Sequence, residues 1–478
     1  MSSRDFHVLC IEDEEEIRDF LFGEIERISN NRCCITFARS RDEALSLLKS
    51  GQFFDYVTLD LTIPVTNGSF EKSPANGLAV LGESKNLCPG APTLILTGTG
   101  TLRMISQFLE TSNNVDIWSE GNTRPTVSFL EKADINDFSE KIAPCISAVS
   151  SLSDIELNLS FDEIPISHDR LIRIFAKKNG AGFVEIDIIG GGYSDAKVYS
   201  LSLTNEHGIE LHRCIAKCGK RLDIDIDSNN FNRLISRLKP EATPRQLDHL
   251  RFGAGQDSAV FYGLATEHNH SFFSACKEKL VSHQVLRSLE DILSNWHDRG
   301  KTQRIPVREI RQKLISDEAA QRIINDYNIS RAKDFEKEVV QCRISCTHGD
   351  LHGENVLVDT DNEVTTLIDY GDVKEQCAIV DPLTLECSFL FHTSSPYPEW
   401  PSNEALRHWT DLNSYLQECP YSDEIGFCRE WIRRIGVGNR ELAACLYSYA
   451  LRQLKYDDTD ESRALNLIDV AFDLYERS

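Results

Sequence analysis

Asp350, Asn355 and Asp369 have the types and spacing that phosphoryl transfer from ATP needs. They fall in the stretch HGDLHGENVLVDTDNEVTTLIDYG, from His348 to Gly371. An aspartate on a loop, Asp350, can orient an acceptor hydroxyl and take its proton. Asn355 follows five positions later, and Asp369 ends an apolar strand that begins at Thr365. Both offer hard oxygen ligands for Mg²⁺, which usually keeps water and substrate phosphate as its other partners. A second set lies toward the N-terminus, where Glu12, Asp13, Asp60, Thr97 and Lys132 sit at the ends of apolar runs. Clustered carboxylates of this kind need a divalent cation, and a nearby lysine offsets further negative charge.

The elements that must position these residues follow from periodicity. Five apolar runs, His7 to Ile11, Cys33 to Ala38, Tyr56 to Leu61, Thr93 to Leu96 and Thr126 to Leu130, are each followed by a helical pattern. That alternation predicts a parallel sheet with its ligands at the strands' carboxyl ends. Ser40 and Glu43 form a capping box for one helix, which Gly51 ends. The inserts Val65 to Ala75 and Asn113 to Arg124 are polar or rich in Gly and Pro, and read as surface loops. A helix is expected from Asp134 to Ala148, then a linker from Ser150 to Pro165. Beyond Phe183 the pattern becomes antiparallel: strands at Phe183 to Ile189, Lys197 to Leu203 and Ile209 to Lys217. The loop Gly190-Gly191-Gly192-Tyr193-Ser194 lies between the first two. Its backbone N–H groups can approach phosphates closely, with Lys217 to pair with them. Arg251 to Ala265 reads as a further strand, bulged at Gly253 and Gly255. Amphipathic helical stretches fill most of the remainder.

The stretch around Asp350 resembles the catalytic and metal-binding loops of the aminoglycoside phosphotransferase and choline kinase branch of the protein-kinase-like fold. That branch carries H-G-D-x-H-x-x-N, matched by His348, Gly349, Asp350, His352 and Asn355, with Asp369-Tyr370-Gly371 at its metal-binding segment. The resemblance implies catalysis by Asp350, Mg²⁺ on Asn355 and Asp369, and ATP phosphates on Gly190, Gly191, Gly192, Ser194 and Lys217. The first 145 or so residues resemble the receiver domain of bacterial response regulators. That resemblance makes Asp60 the phospho-acceptor, a carboxylate nucleophile. It places Mg²⁺ on Glu12, Asp13, Asp60 and the Thr62 carbonyl, and the phosphoryl oxygens on Thr97 and Lys132. One departure concerns the small lobe: such enzymes hold the lysine with a glutamate from the next helix, yet Arg221 to Lys239 contains none. Asp223, Asp225 and Asp227 are the available substitutes.

The fold class expected is an α/β doubly wound parallel five-stranded receiver domain followed by an α+β two-lobed protein-kinase-like domain. Its boundaries are expected at 1–149 for the receiver, 150–165 for the linker, 166–265 for the small lobe and 266–478 for the large lobe. The formal charge of −24 argues against nucleic acid or anionic membrane as a partner. No secretory signal and no membrane span is legible, and fifteen cysteines without zinc-type Cys-x-x-Cys spacing read as reduced core residues of a cytoplasmic protein. The function expected is transfer of the ATP γ-phosphate to a hydroxyl on an unknown substrate or partner protein, under control of Asp60. A histidine kinase or phosphotransfer protein would supply Asp60, and the receiver would pair with a second copy. The alternative is a non-catalytic adaptor that binds nucleotide or a partner, which the missing glutamate favours.

Overall fold

The computed structural model describes residues 5–98, 112, 114–189, 196–235, 238, 243–263 and 270–478. They divide into two compact units, Met1–Asp225 with Gln246–Gly263, and Ile226–Arg245 with Leu264–Ser478.

The first unit opens with β1 (Phe6–Ile11), β2 (Cys33–Ala38), β3 (Tyr56–Asp60), β4 (Thr93–Thr97) and β5 (Val127–Glu131). All pair in parallel, in the order β2-β1-β3-β4-β5. This is a doubly wound order with its switch point between β1 and β3, where ligands gather beyond the carboxyl ends. Every residue of β1, β3 and β4 is buried, as central parallel strands covered on both faces require. Alternate residues feed two cores. Val8, Cys10, Leu94 and Leu96 meet Phe138 and Ile142 on one side, while Leu9, Ile11, Leu59 and Ile95 meet Ala44 and Leu48 on the other.

Local signals hold where side chains act on their own backbone. Ser40 Oγ accepts from the Glu43 N–H at 3.4 Å, and Glu43 Oε2 accepts from the Arg39 N–H at 2.6 Å. Two expectations need correction. The second insert is not merely a surface loop: Asn114–Val115 pairs with Arg124–Pro125, and the turn between them buries Ile117 and Trp118 in the core. One indole supplies enough apolar area to pull a polar insert inward. The following helix is Phe138–Ser151, because Lys132–Asp137 first forms a 3₁₀ turn.

The same unit contains a second sheet: β6 (Glu156–Leu159), β7 (Phe183–Ile188), β8 (Lys197–Thr204), β9 (Glu210–Lys220), β10 (Arg245–Leu250) and β11 (Asp257–Gly263), in the order β6-β7-β8-β9-β11-β10. β6 lies inside the stretch expected as a linker and pairs in parallel with β7. The helix Ile166–Lys178 covers the sheet, stacking Phe175 on Phe261 at 3.9 Å. Residues 251–256, expected as bulged strand, form a turn instead. Gly253 and Gly255 have φ of +91° and +60°, which glycine alone adopts without strain. The Gly253 N–H donates to Gly90 O at 2.8 Å, and the Gly90 N–H donates to Gly255 O at 2.7 Å, so the turn is clasped to the end of the helix before β4. Beside it Arg170 and Asp55 form a bidentate ion pair at 2.9 and 3.0 Å, both fully buried.

The second unit is mostly helical. The helices Val380–Phe391, Ser422–Ile435, Asn439–Gln453 and Glu461–Glu476 pack together, and all of Val380–Phe391 is buried. Two three-stranded antiparallel sheets complete it: His270–Ser271, Val356–Asp359 and Val364–Leu367 in one, Lys301–Pro306, Val339–Thr347 and Lys374–Cys377 in the other. The chain thus combines a doubly wound parallel sheet and a second, mixed sheet in its first unit with an α+β second unit. No helix among the described residues is long and apolar enough to cross a membrane.

Candidate functional site

The loop bearing Asp350 begins where strand Val339–Thr347 ends, and one buried carboxylate holds it. Asp381, in the first turn of helix Val380–Phe391, accepts the His348 N–H at 3.0 Å and the Gly349 N–H at 2.9 Å. Its second oxygen also lies 3.1 Å from His297 Nε2. Gly349 has φ of +83°, and a Cβ there would stand 2.4 Å from the Asp372 carbonyl oxygen, so only glycine fits. His348 is buried and bonds the Ile368 carbonyl through Nε2 at 3.0 Å, which ties the loop to the strand before Asp369.

Asp350 projects partly exposed from this frame. Arg452, from helix Asn439–Gln453, reaches its Oδ1 at 3.3 Å, and His352 Nε2 stands 3.6 Å from Oδ2. Burial lowers the pKa of His352 and brings that of its neighbour His392 to about 4, so both rings are neutral near pH 7. His352 Nδ1 accepts the Glu354 N–H at 3.2 Å, which leaves the proton on Nε2, facing Asp350. Asn355 donates to the Asp350 carbonyl at 2.8 Å, and its own carbonyl accepts the Ile368 N–H at 3.0 Å. Asp369 follows at once, with φ of +64°, and its Oδ1 accepts the Gly371 N–H at 3.4 Å. Asp350, Asn355 and Asp369 are therefore brought to one place by backbone bonds between neighbouring segments. Asp227 and Asn230 brace the same turn: Asp227 Oδ1 accepts the Tyr370 N–H at 2.9 Å, and Asn230 donates to the Tyr370 and Gly371 carbonyls.

In the first unit, Glu12, Asp13 and Asp60 converge at the carboxyl ends of β1 and β3. With Glu14 they bring carboxylate oxygens within 4.8 Å of one another. Lys132 stands 2.9 Å from both Asp60 Oδ2 and Glu12 Oε2, and Lys72 stands 2.6 Å from Asp13 Oδ2. Burial, then the charge of Asp60, raises the Glu12 pKa to about 7 against the pull of Lys132. Burial alone would lower the Lys132 ammonium, but Asp60 and Glu12 outweigh it and hold it above the ordinary lysine range. The Thr62 N–H donates to Asp60 Oδ1 at 3.1 Å, and Thr97 is buried at the end of β4. An all-oxygen set so crowded, with cations on its rim, fits a hard divalent ion such as Mg²⁺.

Lys217 is buried on β9, between Val198 of β8 and Val260 of β11. Gly190, Gly191, Gly192 and Ser194 lie outside the described residues. Asp225, one substitute for the missing glutamate, meets Arg251 at 3.0 Å and His249 at 3.1 Å.

Residues 282–384 match the model of the phosphotransferase enzyme family, a span that contains Asp350, Asn355, Asp369 and Asp381. Among solved structures, the chain is similar to a response regulator receiver protein from Sinorhizobium medicae at 19% identity, over 31% of this chain and 98% of that one, with a TM-score of 0.22. It is similar to aminoglycoside-3'-phosphotransferase of type VIII at 16% identity, over 61% and 99%, with a TM-score of 0.37. An ethanolamine kinase from Plasmodium vivax is similar at 10% identity, over 63% and 84%, with a TM-score of 0.32. No curated protein sequence matches the chain.

Two residues that bear on the Asp350 loop, Asp381 and Arg452, escape sequence reasoning. Asp381 was visible only as an acid before a proline, and Arg452 only as one charge on a helix that packs among others. Lys72, in the first insert, was likewise read as loop; the pairing of Ile63–Pro64 with Lys72–Ser73 is what delivers it to Asp13.

Proposed function

We propose that this chain is a two-component response regulator whose output domain transfers the ATP γ-phosphate to a hydroxyl acceptor, governed by phosphorylation of Asp60. The observation that carries the catalytic part is the setting of Asp350, on a loop anchored by Asp381, with one oxygen held by Arg452 and the other 3.6 Å from His352 Nε2. An acceptor hydroxyl against that second oxygen would attack the γ-phosphorus as its proton passes to Asp350. The bond from the γ-phosphorus to the β–γ bridging oxygen breaks, and ADP leaves. Lys217 with Gly190, Gly191, Gly192 and Ser194 would hold the phosphates. Asn355 and Asp369 would hold Mg²⁺, which when bound neutralises phosphate charge.

In the receiver, Asp60 takes the phosphoryl group from a histidine kinase or phosphotransfer protein. Glu12, Asp13, Asp60 and the Thr62 carbonyl would hold a second Mg²⁺, and Thr97 and Lys132 would meet the phosphoryl oxygens. Residues 1–149 form this receiver, 150–165 the connection, 166–265 the small lobe and 266–478 the large lobe, in a cytoplasmic protein that pairs through its receiver. A non-catalytic adaptor is the second reading, because the helix Arg221–Arg233 supplies no glutamate for Lys217. The deciding experiment incubates the protein with Mg²⁺, ATP labelled in the γ-phosphate and host lysate, and compares it with Asp350→Ala and Asp60→Ala. A labelled product absent from Asp350→Ala supports the enzyme. Nucleotide binding with no product in either supports the adaptor, and an acyl-phosphate response unchanged in Asp60→Ala refutes the control.

A further inference from the structure

Away from these sites, three thiols and a carboxylate meet in the core of the second unit. Cys342 lies in strand Val339–Thr347 and Cys377 ends strand Lys374–Cys377. These strands are antiparallel neighbours whose register pairs Ile344 with Cys377, so Cys342 sits diagonally across on the same face. Glu441 and Cys445 are four residues apart on helix Asn439–Gln453 and share one face of it. The sulfurs of Cys342 and Cys377 and an oxygen of Glu441 lie within 4.8 Å of one another. The Cys377 thiol also faces that of Cys445. All four residues are buried, and all three cysteines are free of disulfides.

We propose that Cys342, Cys377, Cys445 and Glu441 form a site for one thiophilic divalent cation of the zinc type. Packing alone explains part of the cluster, since cysteine is a good small core residue. It does not explain a carboxylate among the thiols. Among the described residues Glu441 has no ion-pair partner within 4.0 Å, the Arg343 charge acts on it only from further away, and burial makes its charged form costly. Its two oxygens are instead oriented by backbone: Oε1 accepts the Arg343 N–H at 2.8 Å and Oε2 the Val437 N–H at 2.6 Å. Each oxygen keeps a lone pair, the arrangement in which outer hydrogen bonds aim a metal ligand.

Zinc bound tetrahedrally at about 2.3 Å from sulfur sets its ligand sulfurs about 3.8 Å apart, so the Cys342 and Cys377 sulfurs, within 4.8 Å of each other, need close by only about 1 Å, while Cys445 must swing in as the fourth ligand. Three thiolates and a carboxylate around a divalent ion carry the same net charge as a four-cysteine structural zinc site. Binding displaces water from the ion and releases one proton to solvent from each coordinated thiol, with no change of oxidation state. One strand of the site runs into His348 and Asp350, the other follows Asp369 to Gly371, and the helix carries Arg452. The cation would cross-link the three elements that surround Asp350.

The test uses the full-length protein, freed of metal under reducing conditions and then titrated with Co²⁺. One equivalent should produce sulfur-to-cobalt charge-transfer absorption, which Zn²⁺ abolishes, and Zn²⁺ should raise the Tm. Asp13→Asn, at the receiver's acids, should keep that absorption, whereas Cys377→Ser and Cys445→Ser should each lose or weaken it. Glu441→Gln, with all thiols intact, should weaken affinity by roughly 10-fold or more. Folded wild type without thiolate absorption at stoichiometric Co²⁺, absorption unchanged in both cysteine variants, or a Cys342–Cys377 disulfide in protein that takes up no metal would each overturn the proposal.

Discussion

Replacing Asp381 by asparagine should unlatch the catalytic loop while keeping the side chain's shape. Its Oδ1 accepts the Gly349 N–H, and its Oδ2 accepts the His348 N–H and lies beside His297 Nε2. An amide has one acceptor oxygen. If that oxygen stays toward His348 and His297, the new NH₂ confronts the Gly349 N–H, donor against donor; if it flips, two contacts are lost. The residue is fully buried, so water does not repair either arrangement. A hydrogen bond to a charged acceptor contributes about 1.5–3 kcal/mol, and a stranded buried donor costs about 1–3 kcal/mol. Together these give a loss of roughly 3–6 kcal/mol. For a unit of this size each kcal/mol lowers the Tm by about 2–4 °C, so thermal unfolding should shift down by roughly 6–24 °C. Phosphate transfer, assayed well below the new Tm, should fall about 100-fold, because Asp350 loses its fixed position. A Tm within about 2 °C of wild type and an unchanged rate would refute the argument that Asp381 latches the loop.

Three further outcomes follow from the geometry. Arg452→Met should lower turnover by about 10–100-fold with little change in ATP affinity, since the contact is to Asp350; equal loss in both kinetic terms would contradict it. Arg170→Met should cost about 3–5 kcal/mol in urea unfolding by stranding Asp55, and Asp55→Leu in the same chain should recover most of that loss; a double variant as unstable as the single one would sink the assignment. Glu12, with its pKa raised to about 7, takes up a proton on folding between its unfolded value and 7. Stability without metal should therefore fall by up to about 3 kcal/mol as pH rises through that window, and Mg²⁺ should bind more tightly above about 7, when the carboxylate is free. Mg²⁺-dependent Tm shifts measured on either side of neutrality check this, and Glu12→Gln should flatten the profile.

How much of this was legible in sequence depended on how far each signal had to reach. Strands β1, β3 and β4 announced themselves because a central parallel strand covered on both faces is largely apolar. Ser40 and Glu43 marked a helix start because a cap acts within three residues. The Asp350 loop was legible since its spacing is set by one turn of chain, and Gly349 marks the backbone conformation that turn requires. Asp381, Arg452 and Lys72 act only through partners brought from elsewhere, across 32 residues in the case of Asp381 and Gly349. No local pattern encodes such a meeting. Trp118 was hidden for another reason: its polar neighbours outnumber it, yet one indole decides where the segment lies. The turn at Gly253 and Gly255 resembled a strand because its flanks are apolar, and what it grips is at Gly90.

The clasp between Gly90 and the Gly253–Gly255 turn has an evolutionary consequence. A receiver tied to its neighbour by a bare tether can be exchanged for another, since neither body notices the other's surface. Here the backbones meet so closely that any side chain at position 90 would collide with the Gly255 carbonyl, 2.7 Å from the added carbon. Substitutions on either side of this seam then constrain the other side. Grafting a foreign receiver onto this scaffold would require importing both faces of the seam, and recombination at the apparent boundary would yield chimaeras that fail to fold.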